Sequence, residues 1–401
     1  MQSFTLFNPT QLFFGPEHGI AFAKQVSVLG KKALLVIGGG SVKKLGYLDA
    51  VTSALHTAGV ATLLFEGIEP NPNAPTVNKA AEVGREFGAQ VVVPVGGGST
   101  MDAAKAIAGL IHTGETDIWP FVAGQPKAGQ LSGSLPVAAV PTTAATASEV
   151  TPFAVISYYE KHEKSVLSHD FFKPKAAWLN PAFTVEVPLV TTADGGADIL
   201  SHVFENYLLG GNASPLADGY TETVIRTVLD VLPKCLAEPK NVTYRAQLLW
   251  SSNLALNGYQ LAGRNPAEFV LHSMEHALSA AVPHLAHGRG LATLYPSYFR
   301  WLLDNNRAVD RLAKLAMNVF GLNGGTEQDR AMQFIGQFGD WLKSVNLYQS
   351  LPSLGFDPKQ YPAIADYCVK VYGTNGQLNA LGDLPLAEIV RIFEGTHVQG
   401  V

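Results

Sequence analysis

The sequence predicts an α/β fold with a doubly wound parallel sheet in its N-terminal part and an all-α domain behind it. Continuous apolar runs at 33–37, 61–65 and 91–95, with a fourth at 137–140, are typical of strands buried on both faces. Helical patterns at 42–57, 74–87 and 99–111 separate them, and right-handed crossovers between parallel strands then cover both sides of the sheet.

The pattern changes after residue 188, where no convincing strand follows and long amphipathic stretches dominate. The predicted helices are 198–209, 216–232, 243–261, 269–280, 298–320 and 327–342. We therefore predict two domains, an α/β domain of residues 1–187 and a helical domain of residues 188–401.

Composition excludes several classes of function. The 401 residues include 28 Lys and Arg against 33 Asp and Glu, so the net charge is −5, and no basic field for nucleic acid or anionic lipid is expected. Charged residues make up only 15%, which favours a large core and buried subunit contacts. Cys235 and Cys368 match no metal or disulfide pattern, and no long apolar run is present, so a soluble cytoplasmic protein is expected.

Two triglycine loops follow predicted strands. Gly96-Gly97-Gly98-Ser99 opens a helix, and glycines there let a diphosphate approach the backbone at a helix N-terminus. Ser99 suits the N-cap position and Asp102 the capping-box position, so an ordinary capped βα turn is the alternative. The motif matches neither GxGxxG nor the P-loop.

The first loop, Gly38-Gly39-Gly40-Ser41, is followed by Lys43 and Lys44 and contains no acid. An acid there favours a free ribose 2′-hydroxyl, whereas Ser and Lys tolerate a 2′-phosphate. The loop therefore favours NADP(H) over NAD(H), unless both lysines merely solvate a helix. The hydroxyls of Thr142, Thr143 and Thr146 could bind a ribose or an amide, or simply cap a helix.

Five of the eleven histidines fall between residues 202 and 287. Asp198 and His202 are four residues apart on one predicted helix, and His272 and His276 repeat that spacing on a later one. His287 stands at a loop-to-helix junction, and His284 lies three residues before it. A carboxylate and imidazoles from separate helices can converge on one divalent cation, but the spacing does not say which histidines bind it.

The sequence resembles the iron-containing alcohol dehydrogenase family, the metal-dependent group III type, over nearly its whole length. It is most similar to the butanol dehydrogenase and NADPH-dependent aldehyde reductase branch. The matching motifs are Phe14-Gly15, Gly38-Gly39-Gly40-Ser41-Val42-Lys43, Glu69-Pro70-Asn71-Pro72, Gly96-Gly97-Gly98-Ser99 with Asp102 and Lys105, Pro141-Thr142-Thr143, Ser148-Glu149-Val150-Thr151, Asp198-x-x-x-His202, Ala255-Leu256-Asn257-Gly258, His272-x-x-x-His276 and His287-Gly288.

The resemblance implies a dehydroquinate synthase-like architecture, with a dinucleotide-binding domain, a helical metal-binding domain and an active site in the cleft between them. It implies one divalent ion, Fe²⁺ or Zn²⁺, held by Asp198, His202, His272 and His287, with His276 near the reacting centre. The implied cofactor contacts are the two triglycine loops with Ser41, Lys43 and Ser99, together with Asn71, Asp102, Thr142, Thr143, Thr146 and Lys164.

Some positions depart from the family pattern. Ala145 and Ala147 stand where glycines are usual, Met101 replaces a common proline, and Asn180 replaces an aspartate before Pro181. The gap from His276 to His287 is one residue longer than in much of the family, which makes His284 a rival for the fourth ligand position.

The expected reaction is hydride transfer between a nicotinamide cofactor and a small primary alcohol or aldehyde, in a homodimer without nucleic-acid or membrane partners. The alternatives are a polyol dehydrogenase of the same superfamily, a dehydroquinate synthase-like lyase and a nucleotide-binding protein without turnover. For the lyase, Arg264 and Arg289 are the nearest cations to the histidines, which is a thin basic cluster for a phosphorylated acid.

Overall fold

A computed structural model describes residues 1–282 and 284–397, and the chain forms two compact units. The sheet unit comprises Asn8–Val187 and Pro239–Asn253. The helical unit comprises Met1–Phe7, Pro188–Glu238 and Leu254–Val401, of which Pro283 and residues 398–401 lie outside the described residues. The sequence predicts a division after residue 187, but residues 1–7 belong to the helical unit and residues 239–253 to the sheet unit.

The described part of the sheet unit contains a six-stranded parallel sheet and a two-stranded hairpin. The strands are β1 Gln11–Phe14, β2 Lys32–Ile37, β3 Ala61–Glu66, β4 Val91–Gly96, β5 Ala138–Pro141, β6 Phe153–Tyr158, β7 Glu163–Ser168 and β8 Ala176–Leu179. The parallel sheet has the order β1-β8-β5-β4-β2-β3, and β6 pairs with β7. Central strands such as β4 are buried along their length, which explains their continuous apolar sequences.

Helices cover both faces of this sheet. They are α1 Gly19–Leu29, α2 Ser41–Lys44, α3 Tyr47–Thr57, α4 Ala74–Phe87 and α5 Gly98–Thr113. Alternate residues of β2 point to opposite sides: Leu34 joins a core with α4 and α5, while Leu35 joins a core with α1 and α3. The predicted doubly wound α/β fold is confirmed.

The remaining helices are α6 Leu189–Leu209, α7 Pro215–Ala237, α8 Val242–Leu256, α9 Val270–Ala281, α10 His287–Asp304, α11 Val309–Phe320, α12 Glu327–Ser344, α13 Tyr361–Tyr372 and α14 Leu386–Gly395. An aromatic cluster around Phe204, with Tyr295, Phe299, Phe334 and Phe338 in edge-to-face contact, forms the centre of the helical unit. No helix among the described residues is long and apolar enough to span a bilayer.

Several predicted elements are wrong in detail. The helix predicted at 42–57 is two helices, because Gly46 turns the chain at φ 73°. The helix predicted at 298–320 likewise breaks, where Asn306 and Ala308 take positive φ values. The helix predicted at 243–261 ends at Leu256, and a short 3₁₀ turn follows.

The expectation of no strand after residue 188 is also wrong. A short hairpin of β9 Gln377–Asn379 and β10 Asp383–Pro385 is present in the helical unit. Three-residue strands are too short to produce a readable alternation of polar and apolar residues.

Candidate active site

The helical unit brings together acids and imidazoles from three helices. Asp198, His202 and Glu205 lie at positions i, i+4 and i+7 of α6 and therefore share one face. Helix α9 contributes His272, Glu275 and His276. Helix α10 contributes His287, which is its first residue.

The Asp198 carboxylate is at the centre of this cluster. Its Oδ1 atom is buried and has no hydrogen-bond partner among the described residues. Three imidazole nitrogens face it: His202 Nε2 at 3.6 Å, His272 Nε2 at 3.9 Å and His287 Nε2 at 3.6 Å. A buried carboxylate oxygen without a donor is costly, so this arrangement is typical of a site that binds a cation.

Two of these histidines have a second carboxylate at the other ring nitrogen. His272 Nδ1 contacts Glu205, whose carboxylate also accepts the backbone N–H groups of Leu271 and His272. Burial raises the pKa of Glu205 to about 8, against the lowering effect of those two hydrogen bonds. Sequence reasoning missed Glu205, although its i+7 spacing from Asp198 was a usable signal.

His287 is held in the same way by Glu275. Its Nδ1 contacts one carboxylate oxygen of Glu275, and the Ser279 hydroxyl donates to the other. Nδ1–H donation to a carboxylate leaves Nε2 as the metal-binding nitrogen. Sequence reasoning also missed Glu275, which lies three residues after His272.

His202 differs from the other two histidines. Its Nδ1 is buried without a hydrogen-bond partner among the described residues. Burial lowers the pKa of His202 to about 3, with Asp198 opposing the shift, so the ring is neutral across the physiological range. Neutral imidazole is the form that binds metals.

The start of α10 is positioned by close packing against α6. An added Cβ at Gly288 would overlap the backbone carbonyl of Asp194, so only glycine permits this approach. Arg289 Nε donates to Asp194 at 2.7 Å and its guanidinium also donates to the Asn346 carbonyl. Burial raises the pKa of Asp194 to about 6 despite Arg289. These contacts place His287 opposite Asp198.

His276 lies beside the cluster. Its ring centroid is 5.2 Å from that of His287 and 5.6 Å from that of Tyr372, while Phe269 stacks edge-on to His272 at 5.1 Å. His284 is exposed and belongs to neither metal-type cluster found among the described residues.

The donor set fits one divalent ion. Ligands about 2.1 Å from a tetrahedral ion lie about 3.4 Å apart, close to the distances around Asp198 Oδ1. The ligand atoms of Asp198, His202 and His272 all lie within 4.8 Å of one another. His287 groups instead with Glu275 and His276 and is the most exposed of the four, at 23% of its side chain.

In the sheet unit, the predicted cofactor loops lie together at the carboxyl edge of the sheet. Strands β2, β4 and β5 are parallel neighbours, so the loops at 38–40, 96–98 and 142–146 are adjacent. The Thr142 N–H donates to the Gly96 carbonyl at 3.0 Å. The backbone N–H of Asn71, a residue at φ 52°, donates to the Ser99 hydroxyl at 3.2 Å.

The two triglycine loops need glycine for different reasons. A Cβ at Gly39 or Gly40 would meet no described atom within 4 Å, and Gly40 has φ 91°. This open backbone fits a bound dinucleotide. In contrast, a Cβ at Gly97 would come within 3.0 Å of Thr143 Oγ1, and one at Gly98 would clash with Thr146.

The predicted cap of α5 is wrong. The helix begins at Gly98 with Gly97 as N-cap and no side-chain cap, so its first N–H groups are not capped by Ser99. Asp102 turns inward instead and accepts from the Ser148 hydroxyl at 2.6 Å and from the Val155 N–H at 2.9 Å. Burial raises the pKa of Asp102, because a desolvated carboxyl group prefers its neutral form, whereas these two hydrogen bonds lower it.

Asp102 belongs to a buried polar network around Lys105. Lys105 Nζ donates to the Ser148 and Thr151 hydroxyls and to the Phe153 carbonyl. Lys164, buried on β7, lies near enough to lower the pKa of Asp102, although burial raises that pKa overall. Of the predicted cofactor contacts, Lys164 is buried and Asp102 is half-buried with its carboxylate bonded to Ser148 and Val155.

An acid lies beside the first triglycine loop, although the loop itself has none. Parallel pairing places Glu66, the last residue of β3, opposite Ile37, and the Gly67 N–H donates to the Gly38 carbonyl at 3.3 Å. The Glu66 carboxylate forms an ion pair with Lys43. Sequence reasoning missed Glu66 because it lies 28 residues after Gly38 and is adjacent only through strand pairing.

A doubly wound sheet with open glycine loops and a buried histidine–carboxylate centre are features of a metal-dependent, nucleotide-binding enzyme. Comparison with known families agrees. The model described as "Iron-containing alcohol dehydrogenase" matches residues 9–181, and "Fe-containing alcohol dehydrogenase family, C-terminal" matches residues 192–394. The chain belongs to the iron-containing alcohol dehydrogenase family and is an oxidoreductase.

Individual relatives support this assignment. NADH-dependent butanol dehydrogenase A of Clostridium acetobutylicum is 32% identical over 99% of this chain and 100% of its own length. NADPH-dependent aldehyde reductase YqhD of Escherichia coli is 31% identical over 99% and 100%. The crystal structure of NADH-dependent butanol dehydrogenase A from Thermotoga maritima superposes with a TM-score of 0.92 at 30% identity, covering 99% of both chains.

Proposed function

We propose that the chain catalyses reversible hydride transfer between a nicotinamide cofactor and a small primary alcohol or aldehyde. The proposal includes one divalent ion, Fe²⁺ or Zn²⁺, bound by Asp198, His202, His272 and His287. The observation that carries it is the buried, unpartnered Asp198 Oδ1 atom faced by three imidazole Nε2 atoms. The names of the butanol dehydrogenase and aldehyde reductase relatives support the substrate class.

Several residues of the chain have separate roles in the proposed reaction. A bound Fe²⁺ or Zn²⁺ supplies Lewis acidity towards the substrate oxygen. Asp198 provides the negative charge that neutral His202 lacks, and Glu205 orients His272 so that its Nε2 faces the site. The aromatic side chains of Phe269 and Tyr372 offer apolar surface suited to a short aliphatic chain.

His276 is the proposed proton carrier. Its ring lies beside His287 without belonging to the group centred on Asp198. An imidazole titrates near neutral pH, so it can take the hydroxyl proton during alcohol oxidation and return it during aldehyde reduction. A His276→Ala variant should therefore keep its metal while turnover falls by about 10²-fold or more.

The two arginines considered for the lyase alternative are already paired with carboxylates. Arg264 is paired with Asp218 at 3.0 Å, and Arg289 with Asp194 at 2.7 Å. Both guanidinium groups are buried and already hydrogen-bonded, so neither offers a site for a phosphorylated acid. This observation favours the dehydrogenase.

The decisive experiment is an assay of NADH and NADPH oxidation with butanal, on protein reconstituted anaerobically with Fe²⁺ or Zn²⁺. We expect aldehyde-dependent oxidation and about one ion per chain. His287→Ala should lose metal and activity together, whereas His284→Ala, a matched change at an exposed histidine, should retain both. Full metal content in the His287 variant would reverse that ligand assignment, and absence of turnover with either metal and either cofactor would refute the function.

The finer cofactor assignment is a preference for NADP(H), supported by Ser41 and Lys43 beside the open glycine loop. We also propose a cytoplasmic homodimer. Exposed apolar side chains of the helical unit support a subunit contact, with Leu216 at 85%, Tyr259 at 51% and Leu261 at 41% exposure. Light scattering should give twice the 42.7 kDa mass of the chain, and cell fractionation tests the location.

A further inference from the structure

Ser41 and Lys43 are neighbours of the first triglycine loop along the chain. Strand pairing adds Glu66, at the carboxyl end of the strand next to β2. Glu66 thus lies beside the loop at 38–41, where the adenosine ribose is expected, and an acid at that place can bind the ribose 2′-hydroxyl.

The immediate surroundings of Glu66 leave room for a ligand. The side chains of Glu66 and Lys43 are about half exposed, at 55% and 43%. A Cβ would meet nothing within 4 Å at Gly39, Gly40 or Gly67, so the backbone around the pair is open. Neither side chain is buried as part of the core, and their charges remain available to solvent or to a nucleotide.

The ion pair with Glu66 affects how Lys43 can bind a cofactor phosphate. A lysine near the adenosine ribose attracts a 2′-phosphate, but this lysine is ion-paired with the Glu66 carboxylate. The same carboxylate can accept a hydrogen bond from a free 2′-hydroxyl and repels a 2′-phosphate. The two members of the pair therefore favour different cofactors.

We propose that Glu66 is a specificity-determining residue that limits the preference for NADP(H): its carboxylate accepts the ribose 2′-hydroxyl of NAD(H) and restrains Lys43 from binding the 2′-phosphate of NADP(H). The proposal rests on the proposed function, because it places the adenosine ribose beside the loop at 38–41. It states which residue sets the balance between the two cofactors.

The test is a comparison of nucleotide affinities in Glu66→Gln, measured by NADH and NADPH fluorescence titration of the full-length protein. Removing the carboxylate frees Lys43 and eliminates the repulsion. We expect the ratio of the NADPH Kd to the NADH Kd to fall about fivefold or more. Glu66→Ala should shift the ratio in the same direction, and thermal unfolding shows whether each variant is folded.

Glu115→Gln is the matched control. Glu115 forms an exposed pair with Lys127 at 3.7 Å in the same unit and follows the C-terminus of α5, away from the glycine loops. The Glu115→Gln change removes the same charge as Glu66→Gln and should leave the ratio of the NADPH Kd to the NADH Kd unchanged within about twofold. Lys43→Ala should move the ratio opposite to Glu66→Gln, because it removes the cation that favours the 2′-phosphate.

The outcomes separate this inference from the proposed function. If both nucleotides bind folded Glu66→Gln and Glu66→Ala with the wild-type ratio, or with a ratio that rises, Glu66 does not select the cofactor and the inference is overturned. If the metal-loaded wild-type protein transfers no hydride to any aldehyde, the proposed function fails whatever the ratio of nucleotide affinities.

Discussion

Two buried glutamates distinguish the histidines of the candidate metal centre from one another. Glu205 and Glu275 each contact the Nδ1 of one histidine, whereas His202 has no such partner among the described residues. A carboxylate at Nδ1 fixes the tautomer and ring orientation and increases the basicity of Nε2. His272 and His287 should therefore be the better-held ligands.

The Glu275 contact can be tested directly. In Glu275→Gln the amide keeps the shape of the side chain but loses the charge that orients His287. We expect the affinity for Zn²⁺ to fall about 10- to 100-fold, measured by competition with a chelator. Glu327→Gln, at an exposed position in the first turn of α12, is the control. An affinity equal to that of the control would mean that Glu275 has no orienting role.

Ala147 adopts a conformation that favours glycine. It has φ 52° and is almost fully buried, in the segment where the family usually has glycine. The left-handed region costs an L-residue roughly 1–2 kcal/mol. A glycine avoids this strain but lowers stability by about 0.4–1 kcal/mol, because it increases the conformational entropy of the unfolded chain.

We therefore expect Ala147→Gly to be at least about 1 kcal/mol more stable than Ala145→Gly in urea unfolding. Ala145 is the matched control, since it is an alanine of the same segment whose φ is not positive. Equal stability of the two variants would show that residue 147 is not strained.

At the scale of elements, a buried lysine connects α5 to the segment before β6. Lys105 donates to Ser148, Thr151 and the Phe153 carbonyl, and Glu149 in the same segment accepts from Asn253 of α8. The side chains of Lys105, Ser148 and Thr151 are almost fully buried, so the protonation of Lys105 affects folding. Burial lowers the pKa of Lys105 to about 8, against the raising effects of Asp102 and Glu149.

The sign of the resulting pH dependence follows from proton binding. Between pH 8 and the ordinary pKa of 10.5, the unfolded chain holds this proton more than the folded one does. The free energy of unfolding should therefore rise with pH in that window, relative to Lys105→Met, by up to about 3 kcal/mol. Urea unfolding at pH 7 and pH 10 measures it, with Lys79→Met as an exposed control. If the difference in the free energy of unfolding between wild type and Lys105→Met is the same at pH 7 and pH 10, the shifted pKa of Lys105 is contradicted.

The elements that the sequence predicted well are those with long periodic patterns. Residues 74–87 were predicted as a helix with the bounds of α4, and the buried runs before the glycine loops became β2 and β4. Strands β1, β6, β7 and β8 were not predicted. In β7 four of the six residues, Glu163, Lys164, Ser165 and Ser168, are polar, so its composition did not indicate a strand.

The candidate site shows the same limit. The predicted ligands are spaced as i and i+4 on one helix, a pattern visible along the chain, and the structure brings Asp198 close to His202. Glu275 was not recognised, because its role depends on the position of α10 relative to α9. Glu66 depends on strand register, and a single sequence contains no direct information about register.

At the scale of the whole molecule, the glycine loops and the histidine cluster belong to different units with separate cores. Chelation of the metal should therefore abolish turnover while the NADH Kd changes by no more than about twofold. Fluorescence titration before and after chelator treatment checks this. A large loss of NADH affinity would show that the two binding events are coupled.

The contact between Gly288 and the Asp194 carbonyl also limits how this chain can evolve. Any side chain at residue 288 pushes the start of α10 away from α6 and takes His287 with it. In a saturation library selected for aldehyde tolerance, codon 288 should return only glycine, whereas codon 324, where a Cβ would meet nothing within 4 Å, should accept many residues. One backbone contact would thus make a position with no functional group as intolerant of mutation as the histidine that precedes it.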